Sequence, residues 1–460
     1  MNRAILIVGF VFYTLNMFAA ESPVILYEED PTLLTSTIQV VVLTGSSDDP
    51  DKKQGLSNLM GEMITRGTKS KNRSTFQGEV EAMGATLGVL TSDDMTAFVG
   101  KVIKENTEAF FKLMQEALLQ PAFSKAEFAS LKKEVLADIS HAKNSNSRLA
   151  GLALRREVFA GTPLALPGSG SLSTVKRVSL KDVQKVYKDE FHRGNFVFAI
   201  ASPLKKSEFE KWINPFWKKF KKGEKKERTS TAMKIPETPK LVLVNKAKTS
   251  TGSLLFGQSG ITATNDMRYE LGVGNYSFGG EPLVSRLFRT IRSDLGWTYY
   301  IGSTYHAMGQ LNMQQGLYVI STTPSIEFTT QTLMKVLDMW KKFLKEGLTK
   351  DELNLAKDSL VNSYPFEFDD AQERLWHKLR SYLYGTPVLS PEEYAKKIRG
   401  IDNKDVLKAV SNNHNATGWL VSLVADKDII EKQLAEAQKD VPEKSRLKIS
   451  KTYEPDELVK

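Results

Sequence analysis

The sequence predicts an α+β fold built of two homologous domains in tandem. Three observations predict it: short blocks that recur at a nearly constant offset, apolar strand-length runs that alternate with amphipathic helices, and a linker-like stretch between the halves. Ser124-Lys125-Ala126-Glu127-Phe128 recurs as Thr349-Lys350-Asp351-Glu352-Leu353. Gly161-Thr162-Pro163-Leu164 recurs as Gly385-Thr386-Pro387-Val388, and Lys181-Asp182-Val183 as Lys404-Asp405-Val406. Phe196-Val197-Phe198-Ala199-Ile200-Ala201 recurs as Trp419-Leu420-Val421-Ser422-Leu423-Val424. The offset stays between 223 and 225 residues in all of them. Two copies make a domain duplication, since a stacked solenoid needs three or more units.

The elements follow in order. Met1-Asn2-Arg3, an apolar run from Ala4 to Phe18 and then Ala19-Ala20-Glu21 read as a secretory signal peptide over residues 1–20. That reading places the protein in the periplasm or outside the cell. An uncleaved anchor is the alternative, although the run is short of the ~20 apolar residues that span a bilayer. No later segment is long and apolar enough to span, so no stable membrane span is expected after signal removal. The first domain, 21–225, holds apolar strands at Ile38–Thr44 and Phe196–Ala201. Its helix Asn106–Leu119 repeats apolar residues at three- and four-residue spacing. Residues 226–240 form the linker. The second domain, 241–445, holds strands at Leu241–Asn245, Gly316–Thr322 and Trp419–Val424 and a helix at Glu327–Leu344. Helix starts are expected at Ser124, with Glu127 three residues on, and at Thr349, with Glu352 three residues on. Residues 446–460 read as a polar, extended tail.

Composition narrows the function classes. The chain is 41% hydrophobic and 25% charged, ordinary for a globular protein, with a net charge of +9. Much of that excess sits in Lys218, Lys219, Lys221, Lys222, Lys225, Lys226 and Arg228. A nucleic-acid partner needs base-reading or stacking groups beside the charge, and none accompany this cluster. The absence of cysteine excludes disulfides, thiolate metal ligands and thiol catalysis. The five histidines are scattered and none pair one helical turn apart. Gly-x-Ser-x-Gly, Walker A and Rossmann glycine patterns are absent.

The segment Gly55–Thr68 carries the chief clue, together with several others. Gly84-Ala85-Thr86-Leu87 with Thr91-Ser92-Asp93-Asp94 forms one. Pro121-Ala122-Phe123, Glu127 and Lys133-Glu134-Val135 form the next. Phe278-Gly279-Gly280, Ser285-Arg286-Leu287-Phe288 and Ile291-Arg292-Ser293-Asp294-Leu295-Gly296-Trp297-Thr298-Tyr299 form the longest. These blocks resemble the pitrilysin/insulinase family of zinc metallopeptidases, the inverzincins, over nearly the whole chain after the leader. The resemblance implies paired homologous domains, each a mainly antiparallel sheet covered by helices, that form half of a clam-like shell.

In active members the first segment reads His-x-x-Glu-His, two histidines that face one zinc ion and a glutamate that activates its water. The histidines fall here at Asn58 and Glu62, the glutamate at Gly61, and the distal acidic ligand at Asp138. All of the motif is replaced, so this degenerate site is expected to hold no metal. Two carboxylates without an imidazole would suit a hard cation better than zinc.

The resemblance also implies that Arg292 and Tyr299 survive as the pair that holds a peptide carbonyl and stabilises its oxyanion. Tyr300 leaves that register open by one. The chain is thus expected to be the non-zinc-binding subunit of a heterodimeric metallopeptidase, inactive alone and without a cofactor of its own. A zinc-bearing paralogous subunit would be its partner and a peptide its substrate. An inert scaffold or peptide-binding protein of the same fold is the alternative.

Overall fold

The computed structural model describes residues 22–225, 230–306 and 315–460. The leader and the start of the linker lie outside them. The first sheet contains β1 (Val24–Glu29), β2 (Thr35–Val42), β3 (Thr86–Thr91), β4 (Thr96–Ile103) and β5 (Phe196–Ser202), in the order β1-β5-β2-β4-β3. Only β1 and β5 are parallel. The second contains β6 (Lys240–Asn245), β7 (Ser253–Ser259), β8 (Thr298–His306), β9 (Leu317–Pro324), β10 (Leu420–Ala425) and β11 (Ile449–Tyr453), in the order β11-β6-β10-β7-β9-β8. Without β11 the two sheets share one topology: β6 stands for β1, β10 for β5, β7 for β2, β9 for β4 and β8 for β3. The duplication in the sequence is therefore a duplication of fold.

Alternation along each strand sends side chains to two faces. In β2, Ile38, Val40 and Val42 join Phe98, Phe198 and Ile200 under the helices of the first half. Val41 and Leu43 point the other way, with Ala97, Val197, Ala199 and Ala201. That second face is covered by Leu375, Leu379 and Leu383 of the helix Ala371–Tyr384, which belongs to the second half. The converse holds as well. The helix Asn146–Val158 of the first half lays Leu149, Ala153, Leu154 and Val158 on Val242, Val244, Val319 and Val424 of the second sheet. Gly257 makes room for it, because a Cβ there would sit 2.9 Å from Leu154 Cδ1. Each half thus lends one helix to the other half's sheet.

The segment 446–460 departs from the polar tail expected. β11 extends the second sheet parallel to β6, and the helix Pro455–Val459 buries Leu458 and Val459. Arg156 Nη1 donates to the Glu457 carbonyl at 2.8 Å, and the Lys460 carbonyl accepts from Ser171 Oγ at 2.7 Å. The polar residues face water while two apolar ones anchor the segment. The two expected caps also differ. Thr349 and Glu352 form the full capping box, whereas Ser124 makes no side-chain cap and Glu127 turns to Arg66 and Arg73. No helix among the described residues is long and apolar enough to cross a membrane.

The second core holds a titratable group. His414 is buried, with Nε2 2.7 Å from the Tyr305 hydroxyl, and burial pushes its pKa down to about 4. The unfolded chain takes up that proton near pH 6.5. The neutral ring's contribution is therefore complete above that pH and is lost as pH falls toward 4, by about 3 kcal/mol. Urea unfolding across this window should show a smaller loss of stability for His414→Gln than for the natural chain; equal slopes would contradict the assignment.

Candidate functional site

The segment Gly55–Thr68 folds into the helix Leu56–Ile64. Its start is held by Asp49, which the sequence reading missed. The Asp49 carboxylate accepts from the backbone N–H groups of Gly55, Leu56 and Ser57 at 2.7, 3.0 and 2.8 Å, and from Ser57 Oγ at 2.6 Å. An acid seven residues ahead of the helix matches no short capping motif, so no local signal marked it. These bonds satisfy the N–H groups that a helix start leaves without partners.

Asn58 and Glu62 are half-buried and one turn apart, on one face of this helix. Gly61 is buried against the sheet. A Cβ at Gly61 would lie 2.9 Å from Val89 Cγ1 and 2.9 Å from Thr96 Cγ2. A glutamate at this position would therefore meet strand side chains at its first carbon. Gly61→Glu should cost about 1–3 kcal/mol through overpacking. A urea midpoint unchanged by that substitution would show that Val89 and Thr96 give way freely.

Burial raises the pKa of Glu62, the nearby Arg66 opposing it and Glu134 adding to it. Arg66 grips Glu134 with both terminal nitrogens, at 3.2 and 2.5 Å, and lies 3.7 Å from Glu127. Arg73 stands 3.5 Å from Glu127. The Arg66 hydrogen bonds hold Glu134 down at about 2. Two guanidiniums and two carboxylates thus form a network beside Glu62. Asp138 is exposed and pairs with Arg148 at 3.1 Å. Among the described residues no three His, Cys, Asp or Glu side chains gather where they could share a metal ion. An amide, a glycine and one carboxylate with a raised pKa do not fit zinc, which takes imidazole, thiolate and carboxylate donors.

The second half brings its pair together. Arg292 lies on the π-helical turn Phe288–Asp294, and Tyr299 on β8. β8 bulges there: Thr298 faces Pro324 and Ile301 faces Thr322, so one extra residue is inserted between them. Bulges re-aim side chains, and π-turns recur at functional sites. Arg292 Cζ sits 5.5 Å from the Tyr299 ring centre and 5.9 Å from that of Phe288. Gly279 lets the preceding turn approach the strand, since a Cβ there would meet Ser303 Oγ at 2.4 Å.

Arg286 of the same block has a different job. Its Nε and Nη2 clamp Glu352 at 2.6 and 2.5 Å. Arg292, in contrast, has no carboxylate within ion-pair distance among the described residues, and the Tyr299 hydroxyl has no hydrogen-bond partner there. Tyr299 is 85% exposed and Tyr300 51%. Tyr300 is folded back over Gly302, whose Cβ would lie 2.9 Å from the Tyr300 hydroxyl. Of the two tyrosines, Tyr299 is the one that meets Arg292.

Comparison with known proteins agrees with this architecture. Residues 24–170 match the family model for insulinase (peptidase family M16), and residues 177–360 match that for the peptidase M16 inactive domain. The chain is 24% identical to the non-peptidase homolog YmxG of Helicobacter pylori, over 88% of this chain and 92% of that one. It is 22% identical to the mitochondrial-processing peptidase subunit beta of Caenorhabditis elegans, over 79% of each chain. The crystal structure of the peptidase M16 inactive domain from Pseudomonas fluorescens superposes with a TM-score of 0.80 at 22% identity, over 89% of this chain and 97% of that one. With two matching halves, a shared sheet topology and a motif stripped of its histidines, the chain belongs to the insulinase family, peptidase family M16, as a member with a degenerate metal site.

Proposed function

We propose that this chain is the zinc-less subunit of a two-chain peptidase and supplies Arg292 and Tyr299 to a partner that carries the metal. The observation that carries the proposal is the pairing of Arg292 with Tyr299 while both keep their donors free. A guanidinium and a phenol held side by side can grip a peptide carbonyl and stabilise the oxyanion that forms on it. Such donors are worth far more in a dry site than in water. Tyr299 at 85% exposure stands in water, so something else must cover it for catalysis. Leu283 and Leu295, 70% and 39% exposed in the same stretch, give that surface an apolar character suited to a partner chain. Its C. elegans relative is itself named as a subunit of a peptidase. The leader over residues 1–20 would deliver the chain to the periplasm or outside the cell.

Association tests this directly. The purified chain and a His-x-x-Glu-His-bearing paralogue should co-elute as a defined complex by size-exclusion chromatography with light scattering, and Tyr299→Asp should weaken it. Two separate peaks at micromolar concentrations would count against the proposal. One observation favours a second reading, that of an inert scaffold or peptide-binding protein: the Arg292 guanidinium rests on two aromatic rings, as a purely structural cation does. The H. pylori relative is named a non-peptidase homolog, in keeping with it.

A further inference from the structure

The two exchanged helices each line a cavity, and the two cavities correspond. Ile139, Ala142, Gly151, Leu152, Arg155 and Gly170 line the one in the first half. The residues 224 or 225 positions further on, Tyr364, Glu367, Trp376, His377, Arg380 and Tyr394, line the one in the second half. The same fold duplication that repeats the sheets therefore repeats this pocket.

The chain's own end closes one side of the first pocket. Leu458 and Val459 form part of its wall and are buried. Arg156 binds the carbonyls of Glu457 and Leu458 at 2.8 and 3.2 Å. The lining arginine, Arg155, is already satisfied, by Asp93 at 2.7 Å and by the Leu164 carbonyl. The first half thus seats a short apolar segment of the chain at this pocket, with the lining arginine neutralised from within.

The second pocket has the same plan and different contents. It is a cavity of about 580 Å³, against about 320 Å³ beside the seated segment in the first. Aromatic rings replace aliphatic or absent side chains on its wall: Tyr364 stands for Ile139, Trp376 for Gly151 and Tyr394 for Gly170. Trp376 and Val388 reach solvent, 39% and 41% exposed. Glu367 is engaged by His377 at 3.2 Å, and Arg268 by the Asn265 carbonyl at 3.1 Å. Arg380, the counterpart of Arg155, has no acid within ion-pair distance among the described residues.

We infer that the second pocket binds a peptide from outside this chain, an apolar segment whose carboxylate pairs with Arg380. The apolar part takes the place that Leu458 and Val459 take in the first half. The carboxylate takes the part that Asp93 plays there. A chain-terminal carboxylate and an Asp or Glu side chain offer the same chemistry. A charge-assisted bond to guanidinium gives either of them the advantage over a neutral amide.

Titration calorimetry on this chain alone tests the inference, so the outcome is separate from whether the chain completes a peptidase. Three probes are compared: acetyl-Ala-Ala-Leu-Val with a free carboxylate, its terminal amide, and acetyl-Ala-Glu-Leu-Val-amide. At least one acid-bearing peptide should bind about tenfold or more tighter than the neutral amide. Which one does so identifies the source of the carboxylate. Arg380→Gln should abolish that preference, and Trp376→Ala should weaken all three probes alike. Equal binding of the three peptides, or a preference that survives Arg380→Gln, would overturn the inference. Arg380 is exposed and unpaired, so its substitution leaves the fold intact.

Discussion

In a complex with a zinc-bearing partner, Arg292→Ala or Tyr299→Phe should lower peptide turnover by about 10²–10³, the usual cost of one oxyanion donor. The loss falls on kcat more than on KM, because the carbonyl oxygen gains its full charge only in the transition state. Asn58→Ala and Glu62→Gln, made on the helix where Gly61 offers no general base, should leave turnover nearly unchanged. Tyr300→Phe acts as the register control, since Tyr300 turns back over Gly302 and Tyr299 meets Arg292. Steady-state kinetics on the five variants decide the matter. If the changes at Asn58 and Glu62 prove as damaging as those at Arg292 and Tyr299, the division of labour is wrong.

Leu379→Ala should cost about 2–5 kcal/mol of stability, the range for a fully buried leucine cut to alanine. Leu379 is 1% exposed, on a second-half helix that covers the first-half sheet. The loss therefore falls on an interface between halves as much as on a core. Leu154→Ala is its counterpart, lifting the first-half helix from β7 and β10. Because each half lends a helix to the other, both variants should shift a single cooperative urea transition. An early separate transition, with one half unfolding first, would show that the exchanged helices do not couple the halves.

Much of the fold was legible because its central strands are buried on both faces. Phe196–Ser202 and Leu420–Ala425 are buried throughout and stand out as unbroken apolar runs. β3, by contrast, alternates exposed and half-buried residues around Gly88 at a sheet edge, and its composition does not mark a strand. β8 carries its bulge across Tyr299 and Tyr300, which no local pattern announces. The helix exchange was invisible for another reason. Leu375, Leu379 and Leu383 show that a helix has an apolar face, but not which sheet receives it. At the site, the replaced histidines could be read directly. That Gly61 is pressed against Val89 and Thr96 could not, because strands distant in sequence create the crowding. The paired pockets escaped notice since their walls differ at nearly every position, Gly151 against Trp376 being the extreme.

Peptide cleavage by this chain mixed with a His-x-x-Glu-His-bearing paralogue, set against each chain alone, decides whether the two chains share one active site. Hydrolysis is expected in the mixture only, saturating at equal molar amounts and lost with a chelator or with Tyr299→Phe. A co-purifying pair that cleaves no peptide, or whose cleavage is indifferent to Tyr299→Phe, would contradict a shared site.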